Sequence, residues 1–240
     1  MANYHQFLPV ADIAALAWML IWWMGYTYVV DRNAINNREV AKVMYHHRLT
    51  WMTRMLEREN RMPDVNIVMA HIRSGTLFAS TSILILAGCV AIVGNIDRLR
   101  KVMSELSFAV EPKAEVLELK IFVLMGIFVY AFFKYAWCLR QFNYSLVLIG
   151  AAPNPQDCND RVMAEYPVRA ARLLTRATNT FNQGLRAYYF GLASLTWLIQ
   201  PWVFALTAVW VVLVLYRRDY RSQTLAALTP VRGADGGSGF

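Results

Sequence analysis

The sequence predicts an all-α, polytopic membrane protein with four transmembrane helices and amphipathic helical cytoplasmic extensions. Three observations lead there. Of 240 residues, 57% are hydrophobic and 17% are charged, against roughly 45–50% apolar and 25% charged in an ordinary soluble domain. The apolar residues gather in four segments of about 20 residues or more, the length that crosses ~30 Å of hydrocarbon at ~1.5 Å per residue. The remaining charge is mostly basic, 24 Lys+Arg against 16 Asp+Glu, and it concentrates in two connections. Such a composition does not fit a disordered tail protein. Helix-length runs, rather than alternating runs of ~10 residues, do not fit a β-barrel.

The first segment, 9–30, carries one acid, Asp12, and no Lys or Arg. It lacks a basic n-region and is too long for an h-region, so it is expected to remain as a spanning helix. Trp22, Trp23, Tyr26 and Tyr28 crowd its end, where rings with an apolar body and a polar tip favour headgroup depth. In the connection 36–73, Val40, Met44, Trp51 and Met55 form a helical stripe. Met62-Pro63 breaks the pattern, and Asp64 is placed as the cap of a new helix. That helix continues into the second segment, 74–96, which is uncharged and interleaves Gly75, Ala79, Ser82 and Gly88, a spacing that permits close packing. The third segment, 119–149, is uncharged from Ile121 to Phe133 and then meets Lys134 and Arg140. Between 160 and 187 a second stripe runs through Ala170, Leu174, Ala177 and Phe181, with Pro167 placed at a helix opening. The fourth segment, 188–216, contains Gln200-Pro201. Pro201 has no N–H, so the Trp197 carbonyl loses its helical partner. A neighbouring helix or a water must supply another, and the pair reads as a kink or hinge. Residues 1–222 make one membrane domain, and 223–240 make a polar tail.

Basic residues retained in the cytoplasm set orientation. The connection 31–73 holds eight and 150–187 holds five; the opposite side has Arg98, Arg100, Lys101 and Lys113, then Arg217, Arg218, Arg221 and Arg232. Thirteen against eight places both termini outside, although Arg217-Arg218 runs against it. The basic inner layer is expected to meet anionic lipid, which accounts for the charge without nucleic acid.

Tyr130, Lys134, Trp137, Cys138, Gln141, Tyr144 and Ser145 recur at spacings of three and four and share a helix face. Arg140 and Asn143 lie about 100° around it. A Lys at membrane depth is paired or faces a wet cavity. One reading is a polar path near Lys134 and Arg140 in a channel or transporter, built between subunits of a homo-oligomer. The other is a structural ion pair with Asp31 as counter-ion. The alternative function is a structural or accessory protein that binds anionic lipid or a partner membrane complex. No phosphate-binding glycine loop, serine elbow or zinc-protease motif is present, and no enzyme is expected. The four histidines lie outside membrane depth and the three cysteines are isolated. No metal or other cofactor is expected.

Several stretches carry a resemblance. They are Met55-Leu56-Glu57-Arg58-Glu59-Asn60-Arg61 with Asp64, Ile72-Arg73-Ser74, Phe132-Phe133-Lys134, Leu139-Arg140-Gln141-Phe142-Asn143-Tyr144, Ile149-Gly150-Ala151-Ala152-Pro153, and Phe181-Asn182 with Gly184-Leu185-Arg186-Ala187-Tyr188-Tyr189-Phe190 and Pro201-Trp202. Together they resemble domain of unknown function 599, a family of multi-spanning proteins found mainly in bacteria. The resemblance implies a bacterial inner-membrane location and no catalytic residue. It directs attention to an inner-surface motif of Glu57, Arg58, Asn60, Arg73 and Arg186, beside Lys134, Arg140 and Asn143.

Overall fold

The computed structural model describes the backbone of residues 10–33, 39–105, 113–154 and 160–220, and their side chains except at 31–33, 39–40, 160 and 219–220. The Asp31 side chain, Cys158 and the 223–240 tail lie outside the described residues. Among the described residues seven α-helices follow in order: α1 Val10–Asn33, α2 Glu39–Leu56, α3 Met62–Val93, α4 Ile96–Ser104, α5 Ala114–Gly150, α6 Asp160–Leu195 and α7 Pro201–Tyr220. A 3₁₀ turn, Thr196–Leu198, separates α6 from α7. There is no strand among the described residues. Four helices are long and apolar enough to cross a bilayer: α1, α3, α5 and α7.

Cross-helix contacts give the directions. Tyr166 Oη donates to the Leu148 carbonyl at 2.5 Å, and Thr180 Oγ1 donates to Gln141 Oε1 at 3.1 Å. A Cβ at Gly184 would lie 2.8 Å from the Tyr135 ring, and one at Gly191 would lie 2.9 Å from the Phe128 ring. Lys120 Nζ donates to the Trp197 carbonyl at 3.0 Å. Numbers rise along α5 as they fall along α6, so the two are antiparallel for nearly their whole length. Only glycine allows the ring contacts at 184 and 191 at that distance. α3 is also antiparallel to α5, with His71 against Phe142 and Phe78 stacked on Tyr135. α1 runs parallel to α5, from Asp12 beside Lys120 to Trp23 beside Tyr130.

The largest departure from expectation is at 188–216. Those residues do not make one helix. α6 ends at Leu195 and the chain reverses. Trp197 stacks on Phe204, Thr196 meets Thr207 at 2.9 Å, and Arg218 reaches Tyr189 Oη at 3.5 Å. α7 therefore folds back along α6. Pro201 cannot donate to the Trp197 carbonyl, which removes the bond that would carry α6 onward. α6 is the central helix, touching α1, α2, α3, α5 and α7. Two of its buried hydroxyls are satisfied inside: Thr180 Oγ1 donates to Gln141 Oε1 and Ser194 Oγ to the Phe190 carbonyl.

Two end regions flank the middle of the bundle. At the α4 end, Met103, Leu117, Ile121, Leu124 and Phe128 pack with Cys89. At the α2 end, Met52, Met55 and Leu56 pack on Phe142, Ile149, Ala171 and Leu174, forming a helical layer continuous with α3, α5 and α6. Two details there differ from expectation. Asp64 is not the cap of α3: the helix starts at Met62 after Arg61, and Asn60 Oδ1 accepts the Met62 N–H at 2.9 Å. Pro167 lies inside α6 rather than at its opening. Its ring falls about two turns into the described helix, where α6 continues despite the lost N–H.

Candidate functional site

Two polar constellations stand out, one at each end. At the α4 end, Asp12 and Lys120 are 3% and 6% exposed. Lys120 Nζ lies 2.9 Å from Asp12 Oδ1 and 3.0 Å from the Trp197 carbonyl. Trp197 Nε1 donates to the same Asp12 oxygen at 2.7 Å, and the ammonium sits 5.4 Å from the Trp197 ring centroid. The carbonyl freed by Pro201 is thus satisfied by a cation from a neighbouring helix. A buried pair is tolerated when such extra bonds fill its remaining valences. This constellation ties α1, α5 and the 196–200 turn.

At the α2 end, the turn between α2 and α3 is closed by charge. Asp64 is fully buried; its Oδ1 accepts from Arg58 Nη1 at 2.6 Å and from Trp51 Nε1 at 2.7 Å. Arg61 donates from Nη1 to the Ala152 carbonyl and from Nη2 to the Pro153 carbonyl at 2.9 Å, joining this turn to the end of α5. Above it a cleft of about 240 Å³ opens between α2, α3, α5 and α6. Its polar rim is His47, Arg48 and His71; Val68, Phe142 and Leu174 supply apolar lining. Arg48 Nη1 donates to Thr175 Oγ1 at 3.4 Å, a long bond. Burial without a close anion holds the Arg48 pKa below its ordinary value. Guanidinium nonetheless stays charged at neutral pH. His71 Nδ1 lies 2.9 Å from the Ile67 carbonyl, so with Nδ1–H donating there, Nε2 is left for another partner.

The residues singled out from the sequence do not converge. Lys134 is partly exposed, 5.2 Å from the Tyr130 ring centroid, and no described carboxylate pairs with it. Arg140 is exposed, with Nε donating to Tyr144 Oη at 2.7 Å. Asn143 is exposed too. Gln141, Ser145 and Cys138 turn inward and are buried, so the expected polar face divides between core and surface. Of the inner-surface motif, Arg58 and Asn60 organise the α2–α3 turn, Glu57 and Arg73 are exposed, and Arg186 is buried in the middle of α6. Gln200 and Pro201 lie at the reversal, which is a turn between two helices and not a kink within one. Lys120 was missed as a site residue. Its signal was available: Lys120 stands immediately before the uncharged run, Asp12 is the one acid of the first segment, and Pro201 frees the Trp197 carbonyl.

No group of three or more His, Cys, Asp or Glu that could hold a metal forms among the described residues. No curated protein and no solved structure matches this chain. Residues 14–224 match the family described as "Protein of unknown function, DUF599". With that match running over most of its length and the helical architecture above, the chain belongs to the DUF599 family.

Proposed function

We propose that this is a multi-pass inner-membrane protein of accessory type whose α2 end faces the cytoplasm and binds anionic lipid. The reversal at 196–200 supports the reading. It directs Arg217 and Arg218 away from the α4 end, toward the side that carries the thirteen basic residues of the two long connections. Arg98, Arg100, Lys101 and Lys113 alone mark the other side. With Arg186 set aside because it is buried within α6, and with Arg221 and Arg232 following α7, sixteen against four is a stronger retention signal than thirteen against eight. The earlier expectation of two outer termini required an unbroken helix over 188–216. With a hairpin in its place, α6 becomes a fifth crossing, the amino terminus lies outside and the carboxyl terminus inside. α6 need not be apolar all round, because its neighbours enclose it. Anionic headgroups attract nearby Lys and Arg by about 1 kcal/mol each. No reaction is assigned. Native mass spectrometry of the protein solubilised from vesicles of phosphatidylglycerol and phosphatidylcholine tests the reading. Retained phosphatidylglycerol should exceed phosphatidylcholine; equal retention defeats it.

A channel remains a second reading, favoured by one observation. Lys134 and Arg140 stay on the outer flank of α5, where a second copy of the chain would meet them. Any path would then run between copies. Anion flux through reconstituted vesicles, lowered by Lys134→Ala at unchanged assembly, is the outcome that reading requires.

A further inference from the structure

We propose that the cleft rimmed by His47, Arg48 and His71 is a binding site for the phosphate headgroup of an anionic phospholipid. The inference rests on the lipid-binding reading above and narrows it to one site.

Depth is the first argument. Asp12 pairs with Lys120 and Trp23 with Tyr130, a nearly constant offset. By that offset Val30, the last apolar residue before Asp31-Arg32, lies level with Trp137 or Cys138. Phe142, on the cleft wall, is then four or five residues further along α5, about 7 Å. The hydrocarbon core is ~30 Å thick within ~40–45 Å in all, so the headgroup layer on each side is about 5–8 Å deep. The cleft sits in that layer.

Chemistry is the second argument. A phospholipid at this depth presents an anionic phosphate beside the start of an apolar chain. The cleft offers both complements: a guanidinium and two imidazoles at the rim, with Val68, Phe142 and Leu174 below. Arg48 carries five donors, and among the described residues its one hydrogen bond is the long one to Thr175. A half-buried Arg with donors unspent, facing an open cleft, fits a planar anionic group such as phosphate. Two other arginines at this end are engaged, Arg58 with Asp64 and Arg61 with the Ala152 and Pro153 carbonyls; Arg48 is the arginine that lines the cleft.

The test uses the full chain in detergent and native mass spectrometry titrations with phosphatidylglycerol, phosphatidylcholine and glycerol 3-phosphate. Wild type should bind phosphatidylglycerol most tightly. Arg48→Gln should weaken the first phosphatidylglycerol about tenfold, the scale of one lost charge-assisted contact, and Arg48→Lys should lose less. Arg169→Gln, exposed at the same end, should bind as wild type. Thr178→Trp narrows the cleft without touching its charge and should weaken binding as well; it decides the matter if Arg48→Gln proves unfolded. Unchanged phosphatidylglycerol binding in folded Arg48→Gln or in Thr178→Trp overturns the site, even where a general preference for anionic lipid persists. If no such preference exists in wild type, the lipid reading fails with it. Glycerol 3-phosphate binding as tightly as the lipid, with the same dependence on Arg48, overturns the lipid assignment and leaves a soluble phosphate-ester site.

Discussion

Lys120 shows how one side chain can replace a backbone bond. Pro201 withdraws the N–H that the Trp197 carbonyl would use, and an ammonium from α5 takes its place while pairing with Asp12. Removing one partner of a buried pair leaves the other uncompensated, a loss of about 3–5 kcal/mol. Lys120→Met is therefore expected to destabilise the protein by that amount, read as a lower melting temperature in detergent. Lys120→Met combined with Asp12→Leu should recover much of it, since no lone charge remains. A double variant no more stable than the single one would show that the pair does not act as a unit. The pieces of this constellation were legible one at a time: an acid in an apolar run, a Lys at the edge of another, a Pro that frees a carbonyl. Their meeting was not, because the contacts run over 185 and 77 residues of chain, and no local pattern reports contacts at that range. Lys134 misled for the complementary reason. Its position in an apolar run looks costly, yet it lies at the partly exposed flank of α5 over Tyr130, and Asp31 was chosen to pair with it only because it falls at the inner end of the first helix, its side chain lying outside the described residues.

Helix lengths in the first two thirds of the chain follow from periodicity and apolar content. α1, α3 and α5 begin and end within about five residues of the expected helical runs, because Met62-Pro63 and the charged residues that flank the apolar runs, Asp31-Arg32 and Asp97-Arg98 among them, interrupt them clearly. α6 and α7 were drawn wrongly because the apolar residues run without pause through the reversal, and the turn there contains no glycine. Hydropathy measures burial; it is blind to a change of direction within buried chain. α6 is held by the close approach of Gly184 to Tyr135 and of Gly191 to Phe128. Gly184→Ala should cost about 1–3 kcal/mol from overpacking, less the helical gain of roughly 1 kcal/mol that alanine brings. Gly88→Ala meets nothing within 4 Å and should show the gain alone. Thermal unfolding of the two variants against wild type checks the contrast; equal shifts would mean that Tyr135 moves aside freely. Thr180→Val leaves Gln141 Oε1 without its donor in a buried setting, an expected loss of about 1–3 kcal/mol by the same measurement.

At the scale of the whole molecule, the count of crossings decides where the ends lie. In the orientation proposed above, five crossings would put the carboxyl terminus on the side of the α2–α3 turn and opposite the connection between α4 and α5. Green fluorescent protein fused after Phe240 should fluoresce, and alkaline phosphatase inserted within 106–112 should be active. A dark carboxyl-terminal fusion that instead supports phosphatase activity would return the chain to an even number of crossings. The same arrangement gives the basic layer one face: the α2 layer, the ends of α5 and α6, and the direction of α7 all lead to one surface, while at the α4 end Asp97, Glu105, Glu111 and Glu115 offset its four basic residues.

The ion pair also has a history set by the direction of translation. Asp12 leaves the ribosome early, Lys120 much later, and the Trp197 indole 185 residues after Asp12. At ~5–20 residues per second, α1 waits on the order of ten to forty seconds for its last partner. Until Lys120 emerges, the first helix carries an acid without its ammonium partner, and until Trp197 emerges that acid also lacks the indole N–H. The turn at 196–200 therefore brings the last partner to this constellation, and a chain stalled before Trp197 would lack the indole and carbonyl that complete it.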